Sequence, residues 1–250
     1  MAIQSIERAA AILRSLAGGP RRLGVSELSD RLGLAKGTVH GLLRALQEEG
    51  FVEQDAESGK YQLGASLLQL GNIYLDVNEL RGRSLAWSDN LAIRTGEAVR
   101  VGSPHGDGVL IIHHVFRPDN TLQILEVGAH LPLHATSLGK VLLAHRPEDA
   151  DALDGLPRLT RSTIVSRPAL DRALETVRQN GWAAEREEAV IGEASVAAPI
   201  FDRRGKAAGA IGVVGAVERI FTGRVPRPDL VAHVRDAGRA ISRDLGGARY

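Results

Sequence analysis

The sequence predicts an α+β protein in two parts: an N-terminal winged helix-turn-helix over residues 1–64 and a larger domain of strands and helices over 92–250, joined by a linker helix over 65–91. Three observations predict it. Apolar residues recur at helical spacing three times before residue 50, and a short hairpin pattern follows them. A further helical stretch then runs to about residue 91. Beyond Gly96, strands and helices interleave without a regular βα repeat, which argues against a doubly wound sheet.

The elements follow in order. Ile6, Ala9, Ala10, Leu13 and Leu16 mark a first helix that stops at Gly18-Gly19-Pro20. A second covers about 26–32, with Leu28 and Leu32 four apart, and Gly33-Leu34-Ala35 turns the chain. The third runs over about 36–49, with Val39, Leu42, Leu43 and Leu46 inward and Gly50 at the position where a left-handed residue ends a helix. Two short strands, 51–54 and 60–63, flank a turn ending in Ser58-Gly59. The linker carries Leu67, Leu68, Leu70, Ile73, Leu80, Leu85 and Leu91. Strands are then expected at 98–101, 109–116, 122–127, 194–201 and 208–217, and helices at 137–145, 170–180 and 229–245.

Composition excludes several classes. With 44% hydrophobic and 24% charged residues and no low-complexity tract, the 250-residue chain is neither disordered nor collagen-like. It has no cysteine, hence no disulfide scaffold, thiol nucleophile or thiolate metal centre. The longest charge-free stretch, 61–75, is too short and too polar for a membrane span, and the first ten residues carry charges where a secretory signal has an apolar run. A soluble cytoplasmic protein with no cofactor and no metal is expected. Adjacent His113 and His114 on a strand point to opposite faces and cannot share an ion, and neither an HExxH nor a GxSxG spacing occurs. A small-molecule enzyme with an N-terminal helical dimerisation module is the competing reading.

The net charge of +1, from 31 basic and 30 acidic residues, neither announces nor excludes a nucleic-acid partner. Residues 1–64 are formally neutral, but the acids gather between Glu48 and Glu57 while 36–44 contains none. In a winged helix-turn-helix the second helix of the motif enters the major groove of double-stranded DNA. Here its first turns offer Lys36 and free backbone N–H groups to phosphates, Thr38 and His40 to bases or phosphates, and Arg44 to guanine. Gly37 and Gly41 weaken the helix yet permit close backbone approach. Lys60 at the hairpin and Arg21 and Arg22 before the motif are candidate phosphate contacts.

In the second part, Pro132-Leu133-His134-Ala135-Thr136-Ser137-Leu138-Gly139-Lys140 leads from an extended segment into a helix. Unpaired N–H groups at a helix start suit a carboxylate or phosphate, and Thr136 and Ser137 can add hydroxyl donors. The plainer reading is that one of them caps the helix, and the two are compatible.

SIERAAAILRSLA, ELSDRLGLAKGTVHGLLRALQEEGFVEQDAESGKYQLG, LPLHATSLGKVLLA and EEAVIGEASVAAPIFDRRG together resemble the IclR family of bacterial transcription regulators, in the same order and at similar spacing. The resemblance implies a C-terminal GAF-like α/β effector-binding domain and a homodimer or homotetramer on a palindromic operator. It places effector binding on His134, Thr136, Ser137, Leu138 and Gly139, on Glu185, on Ser195 where many relatives carry Cys, and on Gly212 and Val214 where some acid-binding relatives have serines. Relatives usually read KSTVHRLL where this chain has KGTVHGLL, so Lys36, Thr38, His40 and Arg44 carry more of the contact. LDVNELR and GVLIIHHVFRPDN point to the branch of the family that governs glycerol utilisation. A repressor of a catabolic operon is expected, answering to glycerol 3-phosphate or another small organic anion.

Overall fold

The computed structural model describes residues 4–119 and 121–247, and the chain divides into two units between Val77 and Asn78. In the first unit, α1 (Gln4–Ala17) buries Ile12 and Leu16 from its apolar stripe. Helices α2 (Val25–Leu32) and α3 (Lys36–Glu48) are joined through Gly33, whose φ of 63° closes α2 with its N–H on the Ser29 carbonyl. The Ser29 hydroxyl then donates to the Leu34 carbonyl at 2.6 Å, pinning the turn from the other side. Leu28, Val39, Leu43 and Leu46 meet Val52 and Tyr61 of the hairpin in one core. The hairpin strands β1 (Val52–Gln54) and β2 (Tyr61–Leu63) pair antiparallel, with Glu53 opposite Gln62. On the other edge of β2, Leu23 adds a single antiparallel rung by exchanging backbone hydrogen bonds with Tyr61 at 3.0 and 2.8 Å. That rung is invisible to periodicity because it is a single residue long.

The stretch 65–91, read from sequence as one linker helix, is two helices. Helix α4 (Ser66–Asp76) buries no residue, and α5 (Glu79–Thr95) starts afresh. Between them Asn78 adopts an extended conformation, and its side chain accepts the Arg81 N–H at 2.9 Å, capping α5. A capping Asn inside an otherwise helical pattern starts a second helix, and the two compact units divide at 77/78.

The second unit is a six-stranded antiparallel sheet in the order β5-β4-β3-β8-β7-β6. Its strands are β3 (Ala98–His105), β4 (Gly108–Val115), β5 (His130–Pro132), β6 (Ala183–Arg186), β7 (Glu193–Phe201) and β8 (Ala207–Ala216). Helices α6 (Ser137–His145) and α8 (Arg167–Asn180) pack together on one face, with the short α7 (Pro147–Asp151) beside α6. After β8 come α9 (Val217–Ile220) and the small hairpin β9 (Phe221–Thr222) and β10 (Val225–Pro226). The last helix, α10 (Pro228–Asp244), packs with α5 on the sheet's other face. Along β7 the alternation is direct: Ala197 joins the core under α6, and Ala198 lies against Gly238 of α10.

One expected strand is corrected, and two strands of the sheet were not expected. Residues 122–127 form no strand, although Leu122 and Ile124 alternate with polar residues; Leu122 and Ile124 stand 100% and 81% exposed. Gly128, at φ 89°, donates to Ile111 and turns the chain away, and the edge of β4 is taken by β5 instead. Strands β5 and β6 escape a search for alternation because each is only three or four residues long, and β6 turns a carboxylate inward.

Leu43 is fully buried in the first unit's core. Leu43→Ala is expected to destabilise that unit by about 2–5 kcal/mol, seen as an early transition in urea denaturation of the full chain followed by circular dichroism.

Candidate functional site

The exposed flank of α3 carries Lys36, Gly37, Thr38, His40, Gly41 and Arg44, while Val39, Leu43 and Leu46 face inward. No side chain caps the helix at Ala35 and its first turn holds no acid, so its leading N–H groups are open to an anion. A Cβ built on Gly37 or Gly41 meets nothing within 4 Å. Packing inside the unit does not require glycine at either place; the bareness concerns what lies outside. Arg44 is held loosely by exposed Glu48 at 3.1 Å. The hairpin cations are engaged: Arg22 pairs with Asp55 at 2.8 Å and Lys60 with Glu27 at 3.1 Å. Backbone N–H donation from Gly24, with Lys60 second, holds the Glu27 carboxyl below its ordinary range.

The second constellation is built by register. Glu185 of β6 lies opposite Ser195 of β7, and Ser195 opposite Val214 of β8. One pleat further on, Gly212 lies opposite Arg100 of β3. With a period of two, these five residues share the face under α6, where the helix start brings Thr136, Ser137 and Leu138 onto them. Thr136 is the cap: its hydroxyl accepts the Gly139 N–H at 3.1 Å and donates to the Pro132 carbonyl at 2.8 Å. Ser137 reaches down instead, donating to Ser195 at 2.7 Å, and Ser195 donates to the Glu185 carboxyl at 2.8 Å. The other Glu185 oxygen accepts the Glu188 N–H at 3.1 Å. Glu188 in turn pairs with Lys140, which is 3% exposed.

Arg100, Glu126 and Glu193 complete the cleft and were missed by the sequence reading. The Arg100 guanidinium holds Glu126 at 2.6 Å and Glu193 at 3.1 Å. The available signal was a lone charge inside the apolar run AVRVG, at the parity that faces α6. His134 and Gly139 do not line the cleft. His134 turns to the Pro157 carbonyl at 3.0 Å, and a Cβ on Gly139 meets the Leu133 carbonyl oxygen at 2.2 Å, so glycine there lets the helix start lie on the preceding strand. Gly212 is likewise required by packing, since a Cβ meets the Val196 oxygen at 2.7 Å. His113 and His114 do face opposite ways: His114 accepts the Glu126 N–H through Nδ1, while the charges around His113 are Arg81 and Asp89 of α5.

Burial pushes the Glu185 carboxyl up to about 7, against the opposing pull of the Glu188 N–H and the Ser195 hydroxyl. Glu188 is raised by burial as well. The space in the cleft open to the centre of a water molecule is about 10 Å³, room for one water. As folded, Ser137, Ser195, Glu185 and Arg100 are engaged with partners, while the second carboxylate oxygen of Glu188 is buried without a hydrogen-bond partner among the described residues.

Two family models match the chain: the IclR helix-turn-helix domain over residues 5–56 and the bacterial transcriptional regulator IclR C-terminal domain over 72–243. The chain belongs to the IclR family. This IclR-family regulator is 56% identical to the glycerol operon regulatory protein of Streptomyces coelicolor over 99% of its own length and 98% of the relative's. The corresponding Streptomyces griseus protein is 55% identical over the same shares. Among solved structures, the IclR transcriptional regulator of Alicyclobacillus acidocaldarius superposes with a TM-score of 0.83 at 26% identity, covering 98% of this chain and all of that one. The family is one of transcriptional regulators, and these relatives are named as regulatory proteins.

The folded chain holds the Glu185 proton more tightly than the unfolded chain, whose carboxyl titrates near 4.5. Its contribution to stability is therefore fully present below that value and is lost as pH rises through about 7. It is on the order of 3 kcal/mol. Glu185→Gln keeps an acceptor for Ser195 and removes the titration. Melting temperatures from roughly pH 5 to 8 should fall more steeply for the wild type than for the variant; parallel curves would show that Glu185 is not the buried acid.

Proposed function

We propose that the protein represses a glycerol-utilisation operon and releases its operator when a small organic anion, glycerol 3-phosphate in the first instance, enters the cleft under α6. The observation that carries this reading is the identity of 56% across nearly the whole of both chains to a glycerol operon regulatory protein. In it, α3 reads the major groove. Lys36 and the uncapped helix start take phosphates, Thr38, His40 and Arg44 face the bases, and Gly37 and Gly41 let the backbone come close. Arg22 and Lys60 exchange their present partners, Asp55 and Glu27, for phosphates of the flanking backbone.

The operator-bound species is a homodimer, or a homotetramer built from it. Helix α4 supports this, because it buries nothing within the chain while Leu68, Leu70, Ile73 and Tyr74 stand about half exposed or more. Two recognition helices must then match half-sites about 34 Å apart or a multiple of it, so a small rotation between subunits suffices to misalign one of them.

In the effector cleft, the anionic group takes the place of the Glu126 and Glu193 carboxylates on Arg100, with the Ser137 and Leu138 N–H groups, Ser195 and a protonated Glu185 as further donors. Thr136 positions the helix start rather than touching the effector. Since the cleft has room for one water, entry requires the segment that carries Glu126 to withdraw.

A gel-shift titration of the promoter region of the gene's own neighbourhood, with and without glycerol 3-phosphate, tests the whole reading. Tight binding that weakens on addition of the compound is expected; binding that ignores it removes this effector. Arg44→Ala should weaken operator affinity by about 1–3 kcal/mol. Arg100→Gln should leave operator affinity intact while abolishing the response to effector.

A further inference from the structure

Away from the cleft, a second and larger concavity opens between the C-terminal turn of α8 and the flank of α10. It measures about 510 Å³ and shares no lining residue with the cleft. That size lies within the range of small-molecule sites. Its floor is apolar, formed by Ala198, Pro199 and Phe201, and among the described residues no acidic side chain lines it.

Its wall is a row of arginines. Arg235, Arg239 and Arg243 are four residues apart on α10, so their side chains leave the same flank one turn after another, over about 12 Å of helix axis. Arg178 faces them from α8, where Glu175 at 2.9 Å engages it. No carboxylate lies within ion-pair distance of Arg235, Arg239 or Arg243 among the described residues, although the chain holds 30 acids for 31 bases. Two acids of α10 neighbour the row in sequence: Asp244 accepts the Trp87 indole N–H at 2.8 Å, and Asp236, between Arg235 and Arg239, forms no ion pair with either among the described residues. Like charges one turn apart repel, so the row costs the isolated helix stability.

We propose that this groove is a binding site for a small molecule carrying two or more phosphate groups, of the nucleoside di- or triphosphate type. Guanidinium groups pair with phosphate oxygens through two parallel N–H bonds each, and a row of three spans a phosphate chain where a single carboxylate or phosphate would engage one end. The apolar floor receives the flat remainder of the ligand. The site is independent of the operator and of the effector cleft.

Isothermal titration of the full-length protein without divalent metal, using ATP, inorganic triphosphate and inorganic phosphate as probes, tests it. Saturable binding of ATP and triphosphate at one per chain is expected, with phosphate at least tenfold weaker. The double variant Arg239→Glu, Arg243→Glu should weaken ATP binding at least tenfold, and the milder Arg239→Gln severalfold, each with an unchanged circular dichroism spectrum. Arg44→Ala should bind ATP as the wild type does. Absence of saturable binding, phosphate binding as tight as triphosphate, or equal affinity in Arg239→Gln and the wild type would each overturn the assignment.

Discussion

A carboxyl group enclosed between a helix and a sheet sets the terms for the whole C-terminal unit. Glu185 is 4% exposed, and an isolated carboxylate there would be costly enough that the group takes up a proton near neutrality instead. Its neighbours are arranged around that cost. Ser195 donates to one oxygen, the Glu188 N–H to the other, and Ser137 ties the serine to the start of α6. Each donor arrives on a different element, so the polar line also cements β6, β7 and α6 to one another. A network of this kind is stabilising to the extent that its members are satisfied, and here one oxygen of Glu188 is left without a partner among the described residues.

Arg100 obeys the same logic from the opposite sign. Burial opposes its charge, but Glu193 and Glu126 together hold the guanidinium firmly protonated. The Arg100 guanidinium is therefore already occupied by two carboxylates. In the proposed exchange an incoming anion takes over the bonds that Glu126 and Glu193 release, so few interactions change in number and the free-energy difference between the two arrangements can stay small. Glu126 sits at the end of a segment whose Leu122, Ile124 and Leu125 are exposed, so its departure from Arg100 breaks little apolar packing. In the N-terminal unit the division of labour is simpler. The inward residues of α3 close a core with the hairpin, and the outward ones are left with open surroundings.

Much of the fold was legible in the sequence because it is written in short-range patterns. Helix α6 occupies the residues expected from its apolar run and its Thr, and α3 ends within one residue of expectation, ahead of Gly50. The linker was misread because Asn78 is a weak signal within a helical pattern, becoming decisive only when its side chain is seen on the Arg81 N–H. At the cleft, Ser137, Glu185 and Ser195 were named from sequence and do meet, whereas His134 and Gly139 were named with them and support the helix start from outside. Arg100, Glu126 and Glu193 were missed, since nothing local marks a strand arginine as the partner of acids 26 and 93 positions away.

By itself, then, the amino-acid order determined most of the helices, though not the break at Asn78 or the short α7 and α9, and it determined where the helix-turn-helix turns and that an α/β part follows it. Periodicity, caps and glycine turns act between residues a few positions apart, and such information survives in one dimension. Only the tertiary structure decided that the cleft is closed by its own carboxylates and that a row of arginines on the last helix stands over a groove with no carboxylate in ion-pair distance of them among the described residues. Both depend on which strands and helices become neighbours, and electrostatic pairing across such contacts is a property of distance in space that chain position does not encode.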